Sequence, residues 1–358
     1  MRPTWLEINF SALAHNYKLL KNRAHRAQLI AVIKANAYGH GAVPVARFLQ
    51  NLGASHFAVA TSGEASELRE GGIKAPILLL GALHPSNAAD VAKAGAIPSI
   101  TQIEAARAFA AVAPGARVHL KVDTGMGRVG IPPTKLGELV SKINELGLEI
   151  AGIYTHFAIA DEDIQETKKQ LKNFLAAVEP LTQRYPLHVA NSAALLAGIG
   201  NEFNFVRPGL ALYGLSPDMK SSFSLRPVLS WKAKPTQIKL PPAGHGVGYG
   251  LTYRANGDEW IATLPFGYAD GFFRALSNQG WVKYAGGYAR VVGRVSMDQT
   301  TISLPRAVGL DEVFEIVTPD LDPRTSLTGR ARQLGTINYE LATALDLRLP
   351  RLYLEDEK

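Results

Sequence analysis

The chain contains no cysteine. That excludes disulfides, thiolate nucleophiles and cysteine-ligated metals, and it is compatible with a reducing cytosol without fixing the compartment. No segment reaches about eighteen consecutive apolar residues, so no membrane span is expected. The opening "MRPTWLEINF" lacks the apolar stretch of a signal peptide. Charge of one sign is never concentrated. The 38 Lys and Arg against 31 Asp and Glu leave +7, spread along the chain without a basic run. This mild excess suits a small anionic ligand and makes nucleic acid a poor partner. Walker phosphate-loop spacing and low-complexity tracts are also missing.

What is there is an ordinary folded composition, with 358 residues, 47% of them hydrophobic and 19% charged. That length implies two domains, or one large barrel plus an addition. Short apolar runs recur up to about residue 210: "LIAVIK" (29–34), "HFAVA" (56–60), "PILLLG" (76–81), "AIPSI" (96–100), "RVHLKV" (117–122), "IAGIYTH" (150–156), "LHVAN" (187–191) and "NFVRPG" (204–209). They are continuous rather than alternating, which implies strands buried on both faces. Helical patterns such as "HGAVPVARFLQNLG" and "PTKLGELVSKINELG" separate them, each closed by a glycine. Eight such units fit a (β/α)₈ barrel, with a doubly wound open sheet as the structural rival. After residue 220 the runs are strand-like and broken by Gly, Pro and Asp, and helix signals are scarce until "INYELATAL" (337–345). This reads as a mostly β domain.

The residue that asks for an explanation is Lys34 in "AVIKANAYGHG". A lysine closing a strand can simply snorkel to water. Here it falls at the C-terminal end of the first barrel strand, where barrels place chemistry, and small residues surround it. Desolvation lowers a lysine's pKa and makes it a usable amine nucleophile, which suggests an imine with a carbonyl cofactor. "DTGMGR" after the fifth strand puts two glycines ahead of Arg128, either as a ligand-approaching loop or as a structural turn with a solvated arginine. His156 in "THF" ends strand six, a position where a hydrogen-bonded structural histidine is the commoner case. "ANSAA" after strand seven offers the Ser192 hydroxyl. "RPG" after strand eight offers the N–H groups of Gly209 and Leu210. Barrels often bind phosphate with those two loops.

Taken together, "AVIKANAYGHG", "DTGMGR", "THF", "NSAA", "VRPG", "GYGLTYR", "GYADG", "VSMDQ" and "NYE" resemble, in order and over nearly the whole length, the bacterial alanine racemases. These are pyridoxal phosphate enzymes with an N-terminal (β/α)₈ barrel and a C-terminal β domain. The resemblance implies a barrel over residues 8–225 and a β domain over 226–358 joined by residues 1–7. It implies that Lys34 holds the cofactor as an imine, that Tyr38, Ser192, Gly209, Leu210 and Tyr339 bind its phosphate, and that Arg207 faces its ring nitrogen. Arginine stays protonated, so the ring would remain a weak electron sink, a bias against protonation at the wrong carbon.

The resemblance also implies two proton carriers on opposite faces of a flat imine, Lys34 for the D-isomer and Tyr253 for the L-isomer. His156 would link Tyr253 to Arg207, whose guanidinium would favour the phenolate. A homodimer with shared sites is implied, Tyr253, Met297 and Asp298 serving the other subunit's site. Met297 would offer its N–H to the alanine carboxylate, with Arg128 nearby. Tyr268 would narrow the access channel and favour a methyl side chain. Some relatives carry a carbamylated lysine at the position of Lys121, and some a cysteine where this chain has Ser296. A cytoplasmic enzyme is expected, making D-alanine for peptidoglycan or consuming it. The rivals are a same-fold decarboxylase, which usually needs a cysteine motif, a non-catalytic cofactor carrier, which resembles the barrel alone, and a serine or broader-specificity racemase.

Overall fold

A computed structural model describes residues 2–219 and 223–355. The chain divides into two compact units, Ala14–Leu225 and a second made of Met1–Leu13 with Arg226–Lys358.

In the first unit, eight parallel strands close on themselves among the described residues: Gln28–Val32, His56–Val59, Ile77–Ala82, Ile97–Ile100, Arg117–Lys121, Glu149–Tyr154, Leu187–His188 and Phe205–Val206. Each falls within or beside one of the apolar runs read from the sequence. The first and last strands pair, Gln28 with Phe205 and Leu29 with Val206, and this closure rules out the open doubly wound sheet. Helices Ala42–Asn51 and Leu136–Glu145 bury one apolar stripe each (Val45, Ala46 and Leu49; Leu139, Val140 and Ile143). Both chains turn away at glycines in the left-handed region, Gly53 at φ +92° and Gly147 at φ +70°, a conformation that costs glycine little.

The second unit is built on a nine-stranded sheet among the described residues. Toward one edge of it Thr4–Asn9 pairs antiparallel with Leu229–Ala233 and runs parallel to the edge strand Arg351–Leu354. The amino-terminal contribution therefore extends to Leu13, past the joint at residue 7 expected from the sequence. The Asn9 side chain at the strand's end accepts from the Ala12 N–H at 2.7 Å as the helix Phe10–Arg23 begins, and the Phe10 and Tyr353 ring centres lie 5.2 Å apart. A helix at Leu327–Leu334 precedes the expected one at Asn338–Thr343. It was not legible because Gly329 interrupts its helical pattern. The Ser326 hydroxyl nevertheless caps it by accepting from the Gly329 N–H at 3.0 Å, and Gly335 ends it at φ +68°.

Candidate active site

Lys34 opens a short turn, Lys34–Tyr38, in which Ala35, Asn36, Ala37 and Tyr38 all have φ between +50° and +53°. Four consecutive non-glycine residues in the left-handed region cost roughly 1–2 kcal/mol each, so neighbours must enforce it. They do. The Asn36 side chain accepts from the Ala42 N–H at 2.8 Å, and the Ala37 N–H reaches Ile33 O at 2.9 Å. Glu64, the capping-box residue of helix Ser62–Glu70, accepts from the N–H groups of Ala60 (2.7 Å) and Thr61 (3.0 Å) with one oxygen and of Ala35 (2.6 Å) with the other. A helix cap and the strained turn thus share one carboxylate. Burial lowers the Lys34 pKa, Arg128 pushes it further down and Glu64 opposes. An amine of this kind is available at neutral pH more often than a surface lysine.

The turn also delivers Tyr38 into the barrel mouth. Its ring lies 5.0 Å from Tyr213, on which His40 stacks at 4.5 Å. His40 Nδ1 meets two carbonyls, Tyr38 O at 2.8 Å and Ala37 O at 3.0 Å, so that nitrogen carries the proton. Ser192 follows the capping residue Asn191. Its Oγ accepts from the N–H groups of Gly209 (2.9 Å) and Ala211 (3.3 Å), the latter on the turn Leu210–Tyr213. A Cβ at Gly209 would stand 2.5 Å from the Tyr38 hydroxyl oxygen. Tyr38, Ser192, Gly209 and Leu210 are therefore gathered in one place. Neutral hydroxyls and N–H dipoles meet there at a close approach that only glycine permits. Tyr339 lies on Asn338–Thr343 of the β unit.

Arg207 is buried in the barrel with no carboxylate partner among the described residues. Burial lowers its pKa to about 10, still protonated at neutral pH. Its Nη2 donates to Thr155 O (2.7 Å) and Val189 O (3.1 Å) and lies 3.4 Å from His156 Nδ1. Its Nη1 is 2.6 Å from His188 Nδ1, and His188 Nε2 is 2.8 Å from His119 Nδ1. Arginine can only donate, which fixes both tautomers: His188 accepts at Nδ1 and donates from Nε2, and His119 accepts at Nδ1. Burial and then Arg207 hold His156 and His188 well below the usual histidine range, and burial with Arg117 and Arg207 takes His119 to about 3. Gly152 makes room, since a Cβ there would sit 2.7 Å from the His119 ring.

This neutral relay gives the barrel an acid weakness. An unfolded histidine titrates near 6.5 and takes up its proton first as the pH falls. The stability contributed by neutral His119 is therefore complete above about pH 6.5 and lost progressively toward pH 3. We expect urea unfolding at pH 5 to cost about 2 kcal/mol of stability relative to pH 7.5 from this one residue. The loss should shrink in His119→Gln, and a flat dependence in the parent protein would contradict the buried relay.

Lys121 is buried as well. Burial, then Arg207, Arg128 and Lys34, lower its pKa to about 8. Its Nζ lies 3.4 Å from Leu80 O and 5.5 Å from the centre of the Tyr154 ring. Arg128 is exposed, beyond a loop built on Asp123, whose Oδ1 accepts from the N–H groups of Gly125, Met126 and Gly127 at 3.0, 2.9 and 3.1 Å. The loop closes on Gly130, where a Cβ would stand 2.4 Å from Asp123 N.

In the β unit, "GYADG" and "VSMDQ" are packed together. The N–H groups of Tyr268 and Ala269 donate to Ser296 O (3.0 Å) and Met297 O (3.1 Å). Tyr268, Met297 and Asp298 are all exposed. Asp298 accepts from Arg348 at 2.8 Å, and Arg348 also binds the buried Asp270, together with Arg2. Sequence reading missed Arg348, Arg2, His119 and His188, because their partners lie far along the chain. Tyr253 lies beside a carboxylate of its own unit. Burial and the carboxylate of Glu259, 2.8 and 2.9 Å from its hydroxyl, raise its pKa, with only a smaller opposing influence from Ser303 and Arg290.

Family comparison agrees along the whole chain. The model "Alanine racemase, N-terminal domain" matches residues 8–217 and "Alanine racemase, C-terminal domain" matches 228–353. The alanine racemase of Desulforamulus reducens is 41% identical over 370 residues, covering 98% of this chain and 99% of that one. The crystal structure of alanine racemase from E. faecalis superposes with a TM-score of 0.92 at 37% identity, covering 99% of this chain and 98% of that one. The Bartonella henselae alanine racemase, solved with covalently bound pyridoxal phosphate, gives 0.89 at 29% identity, with 99% and 100% coverage.

Proposed function

The chain belongs to the alanine racemase family of pyridoxal phosphate-dependent isomerases, and from that premise we propose how its own residues divide the work of interconverting L-alanine and D-alanine. The observation that carries the reading is the juxtaposition, in one barrel mouth, of a desolvated Lys34 with the cluster of Tyr38, Ser192 and Gly209. These residues fit the cofactor. The amine suits an aldehyde, and the N–H and hydroxyl donors suit a phosphate. Once bound, pyridoxal phosphate draws electrons from the substrate's α-carbon and so makes its hydrogen acidic.

Lys34 anchors the cofactor and then, as a free amine, moves the proton on the D side. Tyr253 moves the proton on the L side. Tyr38, Ser192, Gly209, Leu210 and Tyr339 hold the phosphate. Arg207 donates to the ring nitrogen and, being unable to give up its proton at neutral pH, keeps that nitrogen unprotonated. His156 orients Arg207. Arg128 and the Met297 N–H take the substrate carboxylate, with Asp298 holding the Met297 loop and Tyr268 narrowing access. Lys121 is the position for a carbamate. Its lowered pKa supplies the neutral amine that must attack carbon dioxide, and the resulting anion would stand among cations. Two subunits complete each other's sites, and the enzyme works in the cytoplasm. Among the described residues no helix is long and apolar enough to cross a membrane.

The direct test is incubation of the cofactor-loaded protein with L-alanine, following D-alanine by chiral chromatography. Approach to equal amounts supports the reading, and comparable kcat/KM on L-serine would replace it with a broader specificity. Gly209→Ala tests the phosphate cluster. A methyl forced against Tyr38 should weaken cofactor binding at least about tenfold in a fluorescence titration of the apoenzyme. Unchanged affinity would place the phosphate elsewhere.

A further inference from the structure

Asp270, two residues after Tyr268, is fully buried and holds two guanidinium groups at once. Arg2, just ahead of the strand Thr4–Asn9, donates from Nη2 to Oδ1 at 2.7 Å and from Nη1 to Oδ2 at 3.2 Å. Arg348 donates from Nε to Oδ1 at 2.7 Å and from Nη2 to Oδ2 at 3.0 Å. One cation balances a carboxylate, so the second leaves a positive charge over. Asp298 answers it: Arg348 Nη2 also donates to Asp298 Oδ1 at 2.8 Å. Among the described residues Arg348 is the one cation paired with Asp298. A single guanidinium thus joins a buried carboxylate 78 residues away to an exposed one 50 residues away. Its own loop is fixed as well, the Arg348 N–H donating to Asp346 Oδ1 at 2.8 Å.

Asp298 adjoins Met297, the backbone donor assigned to the substrate carboxylate. Other bonds hold the backbone of this stretch. The N–H groups of Tyr268 and Ala269 bind the carbonyls of Ser296 and Met297, and the Ser296 N–H and hydroxyl both reach Gln299 O. A Cβ at Gly267 would stand 2.5 Å from Met297 O, so the two segments touch directly. Among the described residues the Asp298 side chain is held by Arg348 alone. We propose that Arg348 is a positioning residue for substrate binding: it clamps Asp298 to the buried Asp270, which presents the Met297 N–H to the alanine carboxylate and neutralises an anion that would otherwise repel it. This rests on the reading of Met297 as the carboxylate's donor. Arg348 touches neither substrate nor cofactor and acts through Asp298. Lysine is a poor replacement, because a point charge has no planar fork with which to grip two carboxylates. The buried carboxylate does not depend on Arg348 for its charge balance, since Arg2 remains paired with it.

The experiment uses the cofactor-loaded enzyme. Propionate, which is alanine without its amine, reports carboxylate affinity as a competitive inhibitor, and kcat and KM for both alanine isomers are measured beside its Ki. Arg348→Met should raise Ki and KM about tenfold while kcat stays within about twofold, the pattern of lost uniform binding. Arg348→Lys, which restores the charge without the fork, should raise them about threefold. The proposal is overturned if Arg348→Met keeps the parent Ki, or if it loses kcat with Ki and KM held, as a general disturbance of the β unit would. A lysine no better than methionine also overturns it, because neutralisation is part of the claim. If Arg348→Met does not fold, the Ki of Arg348→Lys decides alone, raised for the proposal and unchanged against it. A crystal of the parent enzyme with propionate separates this proposal from the reading beneath it. A carboxylate bound away from Met297 removes that reading, whereas a carboxylate on the Met297 N–H with unchanged Ki in Arg348→Met removes only the role of Arg348.

Discussion

Lys34→Ala should lose racemisation by a factor of about 10⁴ or more, and with it the visible absorbance of the covalently held cofactor. Two losses combine. The amine that forms the covalent link is gone, and so is the group that moves the D-side proton; acid–base catalysis alone is commonly worth about 10²–10⁴ in rate. The surroundings sharpen the expectation. Lys34 is desolvated and lies near Arg128, so its neutral form is accessible, and the left-handed turn that aims it is maintained by Glu64 and Asn36. Backbone strain of this sort persists where surrounding structure over-determines it. Absorbance and activity are read separately. A variant that keeps the absorbance band would show that the cofactor is anchored elsewhere, whatever its rate.

The second large effect is asymmetric. Tyr253→Phe should lower kcat in both directions by about 10³, because net racemisation needs a carrier on each side. In heavy water the variant should still exchange the α-hydrogen of D-alanine, where Lys34 remains, and should not exchange that of L-alanine. Equal exchange from both isomers would mean that the two groups act on one side. Mixing the Lys34→Ala and Tyr253→Phe proteins tests whether the sites are shared. If Tyr253 serves the other subunit, each mixed dimer has one intact site, and random reassociation should restore about a quarter of the parent activity. Sites built within single subunits would restore nothing.

The barrel was legible because its strands advertise themselves. A strand buried on both faces must be apolar throughout, and "LIAVIK" or "PILLLG" needs no partner to be recognised. Lys34, Ser192 and Gly209 could be found the same way, since chemistry in a closed parallel barrel gathers where strands end. The helix Leu327–Leu334 was not, because its cap and packing, rather than an apolar stripe, hold it.

The sequence by itself determined which groups are available: an amine without cysteine competitors, an arginine incapable of acting as a base at neutral pH, a tyrosine at a loop end, and a glycine where the chain must leave space. The tertiary structure decided how those groups are charged and aimed. Lys34 points from a turn no propensity would choose, Arg207 is braced by neutral histidines from two other strands, and Tyr253 faces a buried carboxylate six residues along the chain that its motif does not contain. The reason is that ionisation and orientation depend on desolvation and on partners a few ångströms away. Folding supplies both, largely from residues far apart in the chain.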